Sequence, residues 1–118
     1  MAWLVRGGDV LCSVEVAQAP AARLRGLLGR DGVEGALLLP SCRSVHTLGM
    51  RFPIDVAFLN RHGKVVAVVA PMRRWRLGRT RFRANQVLEA EAGSFDRWRL
   101  AVGDVLEVSG RDGPVALS

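Results

Sequence analysis

A chain of 118 residues with 49% hydrophobic content is long enough to bury roughly two thirds of its unfolded surface in a single core. It holds no apolar run near the ~18 residues that a membrane span needs. Its opening stretch, Met1 to Gly8, has no basic region followed by an apolar one, so no signal peptide is read there and the cytoplasm is the expected compartment. The net charge is +6, carried by sixteen arginines and one lysine, Lys64. Planar guanidinium groups suit phosphates and carboxylates, although most of this bias is what a GC-rich genome writes. The two cysteines, Cys12 and Cys42, lack close metal-type spacing, and a reducing cytosol keeps them as thiols.

Residues Ala2 to Arg6 and Val10 to Val16 flank the turn-rich Gly7-Gly8-Asp9 and read as a β-hairpin. Alternation places Leu11, Ser13 and Glu15 on one face and Cys12, Val14 and Val16 on the other. Pro20 suits the first turn of a helix over 19–30, in which Leu24, Leu27 and Leu28 form one stripe and Arg23, Arg25 and Arg30 lie off it. Gly26 is costly in a helix interior and points to close packing, and Gly29 or Gly32 ends it.

Ala36 to Leu39 reads as a short buried strand stopped by Pro40. A polar stretch, Cys42-Arg43-Ser44-Val45-His46-Thr47-Leu48-Gly49-Met50-Arg51-Phe52-Pro53, leads into a second buried strand, Ile54 to Leu59. Asn60 to Gly63 forms a turn and Lys64 to Ala70 returns as its hairpin partner. Residues 71–83 are irregular and basic. Gln86 to Glu91 alternates as a strand, Ser94 is placed to cap a short helix reaching Trp98 to Leu100, Gly103-Asp104 makes a turn, and Val105 to Ser109 is the last strand. The tail from Gly110 reads as loose. The expectation is one α+β, predominantly β domain over 1–118, with its core near 9–109. It is a compact small barrel or sandwich of six to eight short strands with one or two short helices.

Several motifs occur in a set order. They are Arg23-Leu24-Arg25-Gly26-Leu27-Leu28-Gly29-Arg30, then His46 to Leu59, then Gly63-Lys64-Val65-Val66, Leu88-Glu89 and Gly103-Asp104-Val105. Together they resemble the DUF192 (UPF0127) family. The resemblance implies a small β-rich α+β domain and carries no established activity. Many relatives bear an export signal. Where the more familiar family pattern has Trp-Met-Lys-Asn-Thr before Pro-Leu-Asp, this chain has His46, Thr47, Leu48, Gly49 and Met50, and so resembles a separate branch.

The candidate chemistry gathers around Asp55, whose strand is otherwise apolar. A buried carboxylate needs donors or a positive partner. Backbone N–H groups or an arginine such as Arg23 satisfy that need in a structural role, while a tuned general base or ligand anchor is the functional one. Cys42, His46 and Asp55 hold the parts of a thiol nucleophile system and of a metal ligand set. No helix follows Cys42 to activate the thiol, and no repeated Cys/His spacing marks a metal. His62 sits in a solvated turn. In the segment Met72 to Arg83, Arg73, Arg74, Arg76, Arg79, Arg81 and Arg83 interleave with Trp75 and Phe82, a pattern that suits single-stranded nucleic acid, without any accompanying fold signature. The leading expectation is a non-catalytic binding or accessory module without cofactor or metal. Its pocket is expected around Arg23, His46, Thr47, Met50 and Asp55, taking a polar or anionic small molecule or a peptide segment. A hydrolase using Cys42, His46 and Asp55, and nucleic-acid association through 73–83, are the alternatives.

Overall fold

The computed structural model describes residues 2–17, 35–42, 52–72, 83–110 and 113–115. The helix expected over 19–30, and Trp75 and Phe82, lie outside them. Eight strands and one helix are described: β1 (Ala2–Arg6), β2 (Asp9–Val16), β3 (Ala36–Pro40), β4 (Ile54–Leu59), β5 (Val65–Met72), β6 (Gln86–Glu91), α1 (Ser94–Trp98), β7 (Glu107–Gly110) and β8 (Gly113–Val115). The fold is mostly β, as expected.

The strands form one sheet in the order β5-β4-β6-β3-β2-β1-β7-β8. Two tight hairpins organise it. In β1–β2, Gly7 and Gly8 both adopt positive φ, which the turn requires and which glycine adopts without steric cost. In β4–β5, the Asn60 side-chain oxygen accepts the backbone N–H groups of His62 and Lys64 at 2.9 and 3.0 Å, closing the turn from within.

Three pairs of successive strands run parallel and demand long connections. Strand β2 pairs in parallel with β3, Val14 opposite Ala36. Strands β3 and β4 both run antiparallel to β6, but the chain leaves β3 beside Gln86 and enters β4 beside Glu91. Likewise β5 ends opposite Ile54, whereas β6 begins opposite Leu59. Successive strands that run parallel need crossover connections rather than hairpins, so the chain returns from one end of the sheet to the other between β2 and β3, between β3 and β4, and between β5 and β6.

The core has two parts, one on each face. The first contains Leu4, Leu38, Ala57, Leu59, Leu88, Phe95 and Leu106. The second contains Leu37, Leu39, Ile54, Val56, Phe58 and Val87. Because successive strand residues point to opposite faces, β4 contributes Ala57 and Leu59 to one core and Ile54, Val56 and Phe58 to the other, and all six of its residues are buried.

The sheet is not closed into a barrel. Its ends approach each other where Lys64 bridges Val105 and Val65 donates to the Asp104 carbonyl at 2.8 Å while accepting from the Gly103 N–H at 2.8 Å. Val105 is taken up by this bridge, so β7 starts at Glu107, two residues later than the alternation suggests. The tail is not loose throughout: Gly113–Val115 pairs antiparallel with β7. No helix among the described residues is long and apolar enough to cross a membrane.

Candidate functional site

Asp55 stands on β4 opposite Ala90 of β6, on the face of the first core, and is 1% exposed. Its Oδ2 accepts the backbone N–H of Gly93 at 3.0 Å and of Phe95 at 3.0 Å. These groups belong to the first turn of α1, whose leading N–H groups have no partner inside the helix. Ser94 therefore does not act as the cap. The N-cap is Gly93, with φ 97°, and no side chain of the helix's own cap residue bonds there. The carboxylate reaches in from a strand 38 residues earlier. Asp55 Oδ1 has no hydrogen-bond partner among the described residues.

The other end of α1 is held the same way with opposite charge. Arg6, at the end of β1, donates from Nη2 to the Trp98 carbonyl at 2.7 Å and from Nη1 to the Arg99 carbonyl at 3.3 Å. Nη1 also pairs with Asp104 Oδ2 at 2.9 Å. An anion at the N-terminus and a cation at the C-terminus both suit the dipoles of the peptide units. Arg99 adopts a left-handed conformation (φ 51°), and the N–H groups of Arg99 and Leu100 return to the carbonyls of Asp96 and Phe95, a Schellman ending. A five-residue helix is too short to persist alone, and these two strand residues fix its two ends, while its own Phe95 and Trp98 rings lie 5.8 Å apart.

Of the sequence-expected pocket, Arg23, His46, Thr47 and Met50 lie outside the described residues, as do Arg73, Arg74, Trp75, Arg76, Arg79 and Arg81 of the basic segment. Arg83 is described and exposed, just before Ala84, which enters the second core. The described ends of all three crossovers converge on that second core: Ala17, then Cys42 and Phe52, then Met72 and Ala84. Asp55 sits on the opposite face.

That division bears on the thiol nucleophile reading. Cys42 packs against the second core, while Asp55 makes its hydrogen bonds to α1 on the first, so the sheet lies between the two groups a shared histidine would have to join. Neither cysteine is in a disulfide, and Cys12 packs against the first core, on the face opposite Cys42. Burial pushes the Cys12 thiol up from 9.0 to about 11, since desolvation disfavours the thiolate. Among the described residues no three His, Cys, Asp or Glu side chains gather as a metal ligand set.

One buried acid escaped the sequence reading as a candidate. Glu89, at the centre of β6, is 5% exposed and sits between Leu37 of β3 and Val56 of β4 in register, both members of the second core. The available signal was a single acid among Val87, Leu88 and Ala90 in a strand buried on both faces.

A cleft of about 410 Å³ opens between β5 and α1, lined by Val68, Ala70, Phe95, Asp96, Arg99 and Leu100. It was not foreseen, because none of these residues is unusual in sequence.

The DUF192 family model, described as "Uncharacterized ACR", matches residues 3–108. The chain belongs to the DUF192 family. Solved structures similar to this DUF192 chain carry the same fold. A protein of unknown function from Novosphingobium aromaticivorans is 18% identical, with a TM-score of 0.76 over 90% of this chain and 82% of that one. A Sinorhizobium meliloti protein proposed to be a transcription regulator is 22% identical, with a TM-score of 0.72 over 91% of each chain. At these identities the likeness is one of fold. No curated protein matches the chain.

Proposed function

We propose that this DUF192 chain is a non-catalytic binding or accessory domain for a polar or anionic small molecule or a peptide segment. The observation that carries this reading is the use made of Asp55. A general acid or base must reach its substrate, but this carboxylate is buried and its Oδ2 is occupied by the two N–H groups that start α1. Of the two roles the sequence leaves open for Asp55, the structural one fits these bonds, and the carboxylate serves as an anchor of the frame.

Arg23, His46, Thr47 and Met50 are the residues assigned to contact the ligand, and Asp55 steadies β4 through its bonds to α1. Supporting this, the crossovers that bear them are rooted at Ala17, Cys42 and Phe52, which meet on one core. A cationic guanidinium and an imidazole brought together favour an anion. The test is a titration of the isotope-labelled chain with inorganic phosphate, followed by its amide resonances. Saturable shifts in residues 41–54, weakened at least fivefold by Arg23→Ala or His46→Ala, are expected. Shifts that stay unsaturated into the tens of millimolar, or that both variants leave unchanged, overturn the reading.

A further inference from the structure

Strand β5 ends the sheet. Its inner edge pairs with β4 from Val65 to Met72, while on its outer side the hydrogen bonds described are those of Val65 with Gly103 and Asp104. The chain that makes those bonds comes directly from α1 through Leu100. The segment 95–104 therefore runs from the first-core face, where Phe95 is bonded to Asp55 of β4, to the outer side of β5, which it meets at Val65, and the cleft opens between it and Val68 and Ala70.

This arrangement has one wall from β5, whose outer edge beyond Val65 has no strand paired to it among the described residues, and one from α1. The outer edge of a terminal strand presents a row of N–H and C=O groups that another strand can pair with. No charged residue occurs from Val65 to Met72, so nothing along β5 repels such a partner until Pro71. Val68 and Ala70 provide an apolar floor for alternate side chains of an added strand. On the helical wall, Arg99 is exposed, and its guanidinium makes no hydrogen bond or ion pair among the described residues. Asp96 lines the cleft one turn earlier and is not bonded to it. The chain as a whole carries +6, which draws acidic partners into encounter.

We infer that the cleft between β5 and α1 binds an extended, acidic peptide segment of a partner protein by strand addition to the outer edge of β5, with a carboxylate of the peptide paired to Arg99. Main-chain pairing supplies affinity and the alternate pockets supply selectivity in this mode of recognition. The cleft shares no residue with the pocket assigned above, so the two proposals stand or fall separately.

The test uses the whole chain and two capped six-residue peptides, one alternating valine with glutamate and one alternating valine with lysine. With the glutamate peptide, amide exchange at residues 66–70 is expected to slow and resonances of 95–100 to shift saturably. Arg99→Glu, whose side chain makes no contact needed for folding, is expected to weaken binding at least fivefold, and the lysine peptide to bind at least fivefold more weakly than the glutamate one. Unchanged exchange at 66–70, equal affinity for the two peptides, or indifference to Arg99→Glu overturns the proposal. So does protection of 66–70 that rises with protein concentration alone, which would assign the edge to a second copy of the chain.

Discussion

The Asp55 carboxylate accepts the backbone N–H of Phe95 at 3.0 Å across 40 residues of chain, and so ties strand β4, next to the sheet edge, to the helix that follows β6. With Gly93 bonded to the same oxygen, one buried acid satisfies two of the N–H groups that any helix start leaves open. This makes the acid a structural element of the DUF192 fold and sets the first prediction.

Replacing Asp55 by alanine leaves two N–H groups at a buried helix start without an acceptor. Loss of a cap costs about 0.5–2 kcal/mol, and stranding buried donors adds on the order of 1–3 kcal/mol. Asp55→Ala is therefore expected to lower stability by about 2–4 kcal/mol in urea unfolding. Asp55→Asn keeps one acceptor oxygen and should lose less than half as much. An alanine variant within about 0.5 kcal/mol of wild type would mean α1 is held by apolar contact alone.

Arg6 works at the opposite end of α1, where it is about 30% exposed beside Asp104. Exposure weakens an ion pair, but two carbonyls share this guanidinium. Arg6→Met is expected to cost about 1 kcal/mol. A double-mutant cycle with Asp104→Asn should assign only part of that to the ion pair, and that part should shrink between 0.05 and about 1 M salt as screening rises. A cycle energy equal to the whole loss would remove the carbonyl contacts from the account.

Cys12 titrates in a window set by its burial. Its folded value is about 11 against 9.0 for the exposed thiol. Between these values the unfolded chain has released a proton that the folded chain retains, so stability falls as pH rises through that window. The contribution is intact below about pH 9. Cys12→Ala is expected to flatten this alkaline limb of a stability–pH profile, and the wild-type thiol to react slowly with iodoacetamide at pH 7. Parallel profiles for the two proteins would contradict the assignment.

Gly35 opens β3 with φ 77°, and a Cβ there would collide with the carbonyl oxygen and Oγ of Ser13. Both the backbone conformation and the close approach require glycine. Gly35→Ala is expected to cost about 3 kcal/mol or more, seen as a loss of soluble folded protein or a large drop in urea midpoint. Ser13→Gly in the same chain should recover part of it by removing the Oγ contact.

Much of this domain was legible in sequence because local patterns report local geometry. Strand β4, from Ile54 to Leu59, and strand β6, from Gln86 to Glu91, have the bounds their apolar patterns indicate, and the Asn60–Gly63 turn closes the hairpin its residues describe. Local rules misplaced features whose partners are distant. Ser94 has the chemistry of a cap, but Asp55 does the capping. Val105 has the apolar character of a strand residue, but its bridge to Lys64 takes it out of β7. Glu89 lies in an alternating strand, but both faces of that strand are covered.

The sequence by itself determined the resemblance to a β-rich DUF192 domain, the places of seven of the eight described strands, and that Asp55, in an otherwise apolar strand, needs donors where it is buried. Those properties follow from side-chain periodicity and from the cost of an isolated buried charge, neither of which depends on topology. Only the tertiary structure decided that the donors are the N–H groups of α1, that Cys42 and Asp55 fall on opposite faces, and that β5 ends the sheet beside a cleft. Each depends on which strand lies next to which, and strand order is set by packing among residues far apart in the chain, which no local pattern encodes.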